Sequence, residues 1–239
     1  MPINEESMEI AALIFDFDGL MVDTESPTLT SWQMVYTDYA LELRLEDWAP
    51  ALGTNNGFDP HAHMVKLLNE RDPYQAALVA AARDEILARR DVLKHELSAD
   101  LGLLPGVAEL LEAAAAEGMP CAVASSSNRS WVEGWLGRLA VRHYFRAVLT
   151  ADDVRVTKPA PDLFLLAAAR LDLPPAACLV LEDSPNGIHA ARAAGCPVVA
   201  VPGVVTGQLP IPPADLHLTS LADIDLLRLR TLRTKAWFQ

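Results

Sequence analysis

Basic residues are scarce in this sequence. Only 19 of its 239 residues are lysine or arginine, against 32 aspartates and glutamates, so the formal net charge is −13. Proteins bind nucleic acids and anionic lipid headgroups mainly through lysine and arginine, which neutralise the phosphate charge. We therefore expect neither nucleic acid nor a membrane surface as a partner.

Cysteine is also rare. The three cysteines, Cys121, Cys178 and Cys196, lie far apart in apolar segments. Disulfide frameworks and zinc sites use cysteines in pairs at short, regular spacings. The lack of such pairs argues against both kinds of site, and we expect three reduced thiols in the core.

Long apolar runs are missing. No uncharged apolar run reaches the roughly 18 residues that a membrane-spanning helix needs. The first ten residues, MPINEESMEI, are acidic, whereas a secretory signal begins with basic residues. The sequence thus predicts a cytoplasmic protein.

Short apolar runs, in contrast, recur along the chain. Hydrophobic residues make up 51% of the sequence and charged residues 21%, which is enough apolar material for a buried core. The short runs suit parallel strands that are buried on both faces, and they occupy residues 10–15, 120–124, 147–149, 177–181 and 197–201. Because helix-length segments separate these runs, we predict an α/β fold with a doubly wound, mostly parallel sheet.

Residues 26–98 interrupt this alternation. The segments 31–43 and 73–97 have the spacing of amphipathic helices, and no convincing apolar strand lies between them. We predict that an α-helical cap domain, residues 24–100, is inserted into an α/β core made of residues 1–23 and 101–239.

Four carboxylates follow the predicted strands. Asp16 and Asp18 come after the first strand, and Glu182 and Asp183 come after the fourth. In an open parallel sheet, ligands bind beyond the carboxyl ends of the strands, so these side chains should converge. Two like charges 4 Å apart repel by about 4 kcal/mol at an effective dielectric near 20. The group therefore needs a cation to remain ionised, and Mg²⁺ is the natural partner for carboxylate ligands.

Two further segments would bring phosphate-binding groups to the same edge. Lys158, one of only four lysines, precedes a predicted helix and would add a positive charge. The segment Ser125-Ser126-Ser127-Asn128 opens a helix, where free backbone amides favour an anion. Simple N-capping of that helix and a solvated loop lysine are the alternative explanations.

Four segments together resemble the motifs of the haloacid dehalogenase superfamily. They are IFDFDGLMVDTE, VASSSN, KPAPDLF and LVLEDSPNGIHAARAAG. Their order and spacing are similar to those of the phosphatase and β-phosphoglucomutase-like group, in which a helical cap follows the first motif. The resemblance covers nearly the whole chain and implies a Rossmannoid core and an enzyme that transfers phosphoryl groups.

The resemblance also implies catalytic roles. Asp16 would be the nucleophile that forms an aspartyl-phosphate, and Asp18 would first protonate the leaving oxygen and then activate water. Ser125 would hydrogen-bond the phosphoryl group with help from the amides of Ser126 and Gly19. Lys158 would balance the negative charge of Asp16 and of the phosphoryl oxygens.

The metal ligands are implied in the same way. Mg²⁺ would be held by Asp16, by the backbone carbonyl of Asp18 and by Asp183. Glu182 would be a further ligand or a support for the others.

The choice among related activities depends on a few positions. Asp18 favours phosphoryl transfer, because dehalogenases of the superfamily carry no aspartate there. β-Phosphoglucomutases carry basic residues where this sequence has Thr28, Leu52 and Asn56, which also disfavours bisphosphate substrates. We expect a Mg²⁺-dependent phosphatase that acts on a small phosphorylated metabolite such as a sugar phosphate. A sugar phosphomutase and a catalytically silent binding protein are the alternatives.

Candidate substrate contacts lie at the hinge and in the cap. Glu25 follows the first motif, and Asn55 and Asn56 occupy a cap loop that in relatives closes over the active site. We expect the protein to be a monomer or a weak homodimer.

Two pairs of aromatic or imidazole residues have simpler explanations. His61 and His63 lack a third ligand nearby, so we expect surface or capping histidines. Trp131 and Trp135 are four residues apart on one helix face, which favours packing in the core or against the cap over ligand stacking.

Overall fold

The fold is built on a parallel sheet. The computed structural model describes residues 9–54 and 57–232. Its six strands are β1 (Ala12–Phe15), β2 (Cys121–Ala124), β3 (Phe145–Leu149), β4 (Cys178–Glu182), β5 (Val198–Ala200) and β6 (Leu216–His217). They are all parallel, in the order β3-β2-β1-β4-β5-β6. The winding direction reverses between β1 and β4, so the predicted doubly wound α/β fold is confirmed.

Helices cover both faces of the sheet, and six of the helices in the described ranges lie between β1 and β2 in the chain. The described residues form α1 (Glu25–Asp38), α2 (Leu45–Trp48), α3 (Pro60–Arg71), α4 (Pro73–Ala81), α5 (Arg83–Leu97), α6 (Val107–Ala116), α7 (Arg129–Arg138), α8 (Asp162–Leu171), α9 (Pro185–Ala193) and α10 (Leu226–Arg230).

Alternate residues of each strand pack on opposite faces of the sheet. In β1, Leu13 and Phe15 join an apolar cluster with α6, α7 and α10, whereas Ala12 and Ile14 join another with α8 and α9. This period of two follows from strand geometry, in which successive side chains point to opposite faces. Two buried faces explain why β1, β2 and β5 are continuously apolar.

Helices α1 to α5 bury an apolar cluster of their own. Trp32, Tyr36 and Met64 are at its centre, and Val205 from the loop after β5 joins it. Helices α1 to α5, which we call the cap, therefore pack against the loop after β5, near the carboxyl ends of the strands, where a site for ligands is expected.

Some element boundaries differ from the sequence prediction. The helix predicted over 31–43 ends at Asp38, because Ala40 has a φ of 51° in the left-handed region. The helix predicted over 73–97 is two helices, α4 and α5, which meet at Ala82. The two-residue strand β6 has too short an apolar segment to be recognised.

The three cysteines are buried and free, as predicted. Burial raises the pKa of Cys178 to about 11 and the pKa values of Cys121 and Cys196 to about 12. None of the helices in the described ranges is long and apolar enough to cross a membrane.

Candidate active site

Three buried carboxylates meet where β1 and β4 end. Asp16 follows β1, Glu182 is the last residue of β4, and Asp183 comes next. All three side chains are buried, and one oxygen from each lies within 4.8 Å of the others. The structure thus brings together three of the four predicted carboxylates, in an arrangement that could hold a metal ion.

Lys158 lies within this group. Its Nζ donates hydrogen bonds to Asp16 Oδ1 and, at 2.6 Å, to Glu182 Oε1. The residue is 1% exposed, so the alternative of a solvated loop lysine is wrong. Its ammonium also lies over the ring of Phe164, with 4.9 Å from Nζ to the ring centre. Lys158 is therefore a fixed positive charge beside the predicted nucleophile.

The negative charge of the group exceeds what one lysine can offset. Burial raises the pKa of Asp16 well above its usual value, against the effect of Lys158, and Glu182 raises it further. Burial also raises the pKa of Asp183, with Glu182 and Asp16 adding to the effect. Burial lowers the pKa of Lys158, but Asp16 and Glu182 outweigh it and raise that pKa above its ordinary value. A divalent cation would remove the remaining imbalance.

Neighbouring donors orient Glu182 and Asp183. Ser184 donates to Glu182 Oε2 from its backbone amide (2.8 Å) and its hydroxyl (3.0 Å). Thr206 donates its hydroxyl to Asp183 Oδ2 at 3.1 Å. Both oxygens of Glu182 are thus hydrogen-bonded within the protein, which favours a supporting role over a metal ligand. No motif in the sequence indicates Thr206, because it lies in a loop far along the chain.

Asp18 lies next to the three carboxylates but outside their group. Its carboxylate accepts hydrogen bonds from four side chains, namely Thr24 Oγ1 (2.7 Å), Ser125 Oγ (3.1 Å), Ser127 Oγ (2.7 Å) and Trp131 Nε1 (2.8 Å). Sequence reasoning missed the contacts of Thr24 and Trp131 with Asp18. The position of Trp131 in the first turn of α7, three residues after the N-cap Asn128, is the signal that could have found the second.

Comparison with known proteins is consistent with this geometry. The model of the haloacid dehalogenase-like hydrolase family matches residues 13–201. The chain belongs to this family. It is 37% identical over 217 residues to the putative phosphatase YhcW of Bacillus subtilis, covering 91% of this chain and 94% of that protein.

Two further relatives extend the comparison. The hydrolase is 36% identical over 191 residues to fructose-1-phosphate phosphatase YqaB of Escherichia coli, covering 80% of this chain and 96% of YqaB. It also resembles a variant of CbbY from Rhodobacter sphaeroides in complex with xylulose 1,5-bisphosphate, with a TM-score of 0.68 and 26% identity over 91% of this chain and 98% of CbbY. The predicted membership of the phosphatase and β-phosphoglucomutase-like group is confirmed, and the protein is a hydrolase of the phosphatase type.

The serine segment of the hydrolase is tied into the protein by its own hydrogen bonds. Asn128 caps α7 by accepting from the Trp131 amide at 2.9 Å, as the capping alternative proposes. Ser125 is fully buried and accepts from the Ser127 amide at 3.0 Å. Ser126 donates its hydroxyl to the Gly53 carbonyl at 2.9 Å. Ser125 and Ser127 both contact Asp18, and of these two serines Ser125 is the buried one.

The Gly19 amide is also engaged. It donates to the Val22 carbonyl at 2.8 Å, so in this arrangement it is used within the loop rather than free for a phosphate. Gly19 has a φ of 90°, and a side chain there would overlap the carboxylate of Asp183. The glycine therefore allows the loop after β1 to approach Asp183 closely.

The predicted cap contacts are only partly covered by the structure. Glu25 begins α1 and is half-buried, and burial raises its pKa to about 8, with Asp18 adding to the effect and Lys94 opposing it. Asn55 and Asn56 lie outside the described residues. The preceding loop reaches the core, because the Leu52 carbonyl accepts from Asn186 Nδ2 at 2.8 Å.

The two cap histidines have structural partners. His61 is buried, with Nε2 2.9 Å from the Val79 carbonyl and Nδ1 3.0 Å from Arg83 Nη1, so the expectation of a surface or capping role is wrong for it. His63 Nδ1 is 3.0 Å from the Tyr36 hydroxyl. Both imidazoles therefore join cap helices to one another.

Proposed function

We propose that this hydrolase removes phosphate from small phosphate monoesters through an aspartyl-phosphate on Asp16. The observation that carries the proposal is the buried position of Asp16 at the β1/β4 switch point, in contact with Lys158 and within 4.8 Å of a carboxylate oxygen of Asp183. Ligands of open α/β folds bind at such a switch point.

In the first half of the reaction, a carboxylate oxygen of Asp16 attacks phosphorus. The bond between phosphorus and the alcohol oxygen breaks, and the protonated carboxyl of Asp18 gives its proton to that oxygen. Lys158 stabilises the charge that the nucleophile and the phosphoryl oxygens carry together, and the Ser125 hydroxyl orients the phosphoryl group. Such positioning and electrostatic effects dominate phosphoryl transfer.

In the second half, Asp18 is ionised and takes a proton from a water molecule. The water oxygen attacks phosphorus, and the bond between phosphorus and Asp16 breaks. Asp16 is regenerated as a carboxylate and inorganic phosphate leaves. One water is consumed for each ester cleaved.

The chain offers a fitting set of ligands for Mg²⁺. The proposed ligands are the carboxylates of Asp16 and Asp183 and the backbone carbonyl of Asp18, with Glu182 as their support through Lys158. Hard oxygen donors of this kind suit Mg²⁺. Burial and the neighbouring carboxylates raise the pKa values of Asp16 and Asp183, which supports a cation beside them. When bound, Mg²⁺ supplies that charge to the phosphoryl oxygens.

The substrate class we propose is a phosphorylated sugar or a similar small metabolite. YqaB is named for fructose 1-phosphate, and the CbbY structure contains xylulose 1,5-bisphosphate, which supports a sugar phosphate for this chain. Glu25 and the loop containing Asn56 are the proposed contacts from the hinge and the cap.

The three reduced thiols support a cytoplasmic location.

Hydrolysis is favoured over mutase activity by Thr28. At the position where β-phosphoglucomutases carry histidine, Thr28 donates its hydroxyl to the Thr24 carbonyl at 2.7 Å. Its side chain is thus used to brace the start of α1 and offers no imidazole to the site.

The test is phosphate release from a panel of phosphorylated metabolites, measured with Mg²⁺ and with EDTA. The panel includes β-glucose 1-phosphate with a coupled assay for glucose 6-phosphate. We expect Mg²⁺-dependent phosphate release, its loss in Asp16→Asn and its retention in the matched control Asp100→Asn, since Asp100 is exposed. Glucose 6-phosphate formed without free phosphate would instead establish a mutase, and inactivity on the whole panel would contradict the proposal.

A further inference from the structure

A large cleft lies between the cap and the core. It has a volume of about 670 Å³ and is lined on one side by cap helix α5 and on the other by core helix α7, along its length, and by the serine segment before it. Neither the motifs nor the proposed reaction assigns a role to its cap side.

The cleft leads to the general acid. Ser127 and Trp131 both line it, and both donate hydrogen bonds to the Asp18 carboxylate. Asp18 is the residue that protonates the leaving oxygen in the proposed reaction. The part of the substrate attached to that oxygen must therefore extend from Asp18, and this cleft is the space next to it.

The lining of the cleft is basic, unlike the rest of the molecule. Arg90, Lys94 and Arg138 line it with a single carboxylate, Asp91, whereas the whole chain carries a net charge of −13. A local reversal of charge sign in a cleft concentrates anions there.

Arg138 is already used by the protein. Its guanidinium donates to the backbone carbonyls of Ser98 and Ala99, and it stacks on Trp135 with 4.6 Å between the guanidinium carbon and the ring centre. It therefore closes the far end of the cleft and joins the end of α5 to α7.

In the part of the chain that the structure describes, Lys94 and Arg90, unlike Arg138, donate no hydrogen bond to the backbone across the cleft. Lys94 Nζ lies 3.8 Å above the ring of Trp131, and among the described residues it has no carboxylate within ion-pair distance. Arg90 pairs with Asp91 through Nη1, but its Nε is buried and has no hydrogen-bond partner in the described ranges. A buried donor without a partner is costly, so the hydrogen-bonding capacity of this guanidinium is not fully used within the described residues. Because Arg90 lines the cleft, its positive charge is also available to an anion that binds there.

We propose that the cleft binds a second anionic group of the substrate, a carboxylate or a phosphate on the leaving alcohol, with Lys94 and Arg90 as its cationic partners. The inference rests on the proposed function, because it uses the role of Asp18 in that reaction. It also revises the expectation that the absence of basic residues around Leu52 and Asn56 disfavours bisphosphates. The positive charge comes from α5 instead of that loop.

The test compares matched substrates that differ in the second anionic group. Glycerol 3-phosphate and 3-phosphoglycerate differ in a carboxylate, and fructose 1-phosphate and fructose 1,6-bisphosphate differ in a phosphate. The selectivity is the kcat/KM of the member that carries the second anionic group, divided by the kcat/KM of the member that lacks it. It is measured for the wild type, Lys94→Met and Arg90→Met. Arg89→Met is the control, because Arg89 lies on the same helix but is exposed and pairs with Asp38.

We expect the wild type to prefer the member with the second anionic group in at least one pair. A preference within the first pair indicates a site for a carboxylate, and a preference within the second pair indicates a site for a phosphate. Lys94→Met and Arg90→Met should each lower this selectivity about tenfold, as the loss of one charged contact does, whereas Arg89→Met should leave it unchanged.

Two results would overturn the inference in different ways. If Lys94→Met lowers kcat/KM equally for both members of each pair, Lys94 acts on Asp18 or Glu25 and not on the substrate. If the wild type releases phosphate but prefers the member without the second anionic group in both pairs, the cleft does not select that group, although the phosphatase proposal stands. The absence of Mg²⁺-dependent phosphate release from all four compounds and from the wider panel would refute the proposed function and this inference with it.

Discussion

Lys158 determines the electrostatics of the site at the level of single residues. It is buried, and it contacts Asp16 and Glu182 at the same time. Buried ion pairs gain little net stability compared with apolar residues, but removing one partner leaves an uncompensated charge. The lysine is therefore better explained by function than by stability.

Removing this lysine should harm both stability and activity. Lys158→Met is expected to lower the free energy of unfolding by about 3 kcal/mol at pH 8 in EDTA, because Asp16 and Glu182 lose their partner. The loss should be smaller at pH 5, since burial already raises the pKa of Asp16 and favours its protonated form. Urea unfolding at the two pH values measures it, with the exposed Lys66→Met as the control. Equal stability of Lys158→Met and wild type at pH 8 would show that the ion pair has no such role.

Trp131 is expected to position Asp18. Trp131→Phe retains a ring in the cleft but removes the Nε1 donor to Asp18. A hydrogen bond to a charged group contributes about 1.5–3 kcal/mol, so its loss should lower kcat by roughly 10- to 150-fold. The pH profile of kcat should shift as well, which a purely structural role would not cause. In the control Trp135→Phe, the replaced indole makes an edge-to-face contact with Trp131 and donates no hydrogen bond to Asp18, so its pH profile should match that of the wild type. A normal profile for Trp131→Phe would rule out the positioning role.

The sequence is informative about some of these residues and silent about others. Asp16, Asp18, Lys158, Glu182 and Asp183 could be placed at one edge because each follows a strand or precedes a helix. The donors Thr24, Thr206 and Trp131 could not, because their contacts depend on side-chain directions and on loop paths that no periodicity encodes.

At the level of elements, the loop that follows the short 3₁₀ helix at residues 49–51 brings the cap into contact with the core. Gly53 accepts from Ser126 through its carbonyl and has a φ of 71°. A side chain at this position would overlap the hydroxyl of Ser184, which itself holds Glu182. The close approach of the cap loop to the site therefore requires glycine.

Gly53→Ala should separate this loop from the core. We expect a several-fold lower kcat/KM and a lower melting temperature, because both backbone strain and overlap with Ser184 oppose the native contact. Gly137→Ala is the matched control: it lies in α7 with open space around the added methyl group, so it should raise stability by up to about 1 kcal/mol without lowering activity. Steady-state kinetics and thermal unfolding of the two variants test this. A fully active Gly53→Ala would show that the loop contact is dispensable.

The elements themselves were predictable to different degrees. Strands β1, β2, β4 and β5 were recognisable because burial on both faces favours apolar residues in them, whereas β3 was recognised only over 147–149, since its Arg146 is exposed. The cap helices were harder, since the break at Ala82 and the left-handed Ala40 occur at alanines, which carry no signal for a helix end. Tertiary contacts decide those boundaries.

At the level of the whole molecule, the buried acids link stability to pH. The pKa values of Asp16 and Asp183 are raised by burial above the usual value of 3.8, and that of Glu25 is raised to about 8. Between the ordinary pKa values of these acids, near 4, and their raised values, the folded protein thus binds more protons than the unfolded chain. This contribution to stability is present at low pH and is lost as pH rises towards about 8.

Mg²⁺ should replace these protons. In EDTA, we expect the melting temperature to fall between pH 5 and pH 8, and saturating Mg²⁺ should restore more stability at pH 8 than at pH 5. At a free concentration of 100 times Kd, the gain is about 2.7 kcal/mol. Thermal unfolding with and without Mg²⁺ measures it, and Asp183→Asn should abolish most of the difference. A Mg²⁺ effect that is equal at both pH values would contradict this linkage.

The central claim is that Asp16 forms a covalent bond with phosphorus, and one measurement tests it directly. The hydrolase is mixed with a substrate that it turns over, quenched during turnover and treated with borohydride, which reduces an aspartyl-phosphate to homoserine. Peptide mass spectrometry then locates the change. We predict homoserine at position 16 in the wild type, dependent on substrate and Mg²⁺. Its absence at position 16 under those conditions, together with full phosphate release by Asp16→Asn, would contradict the account.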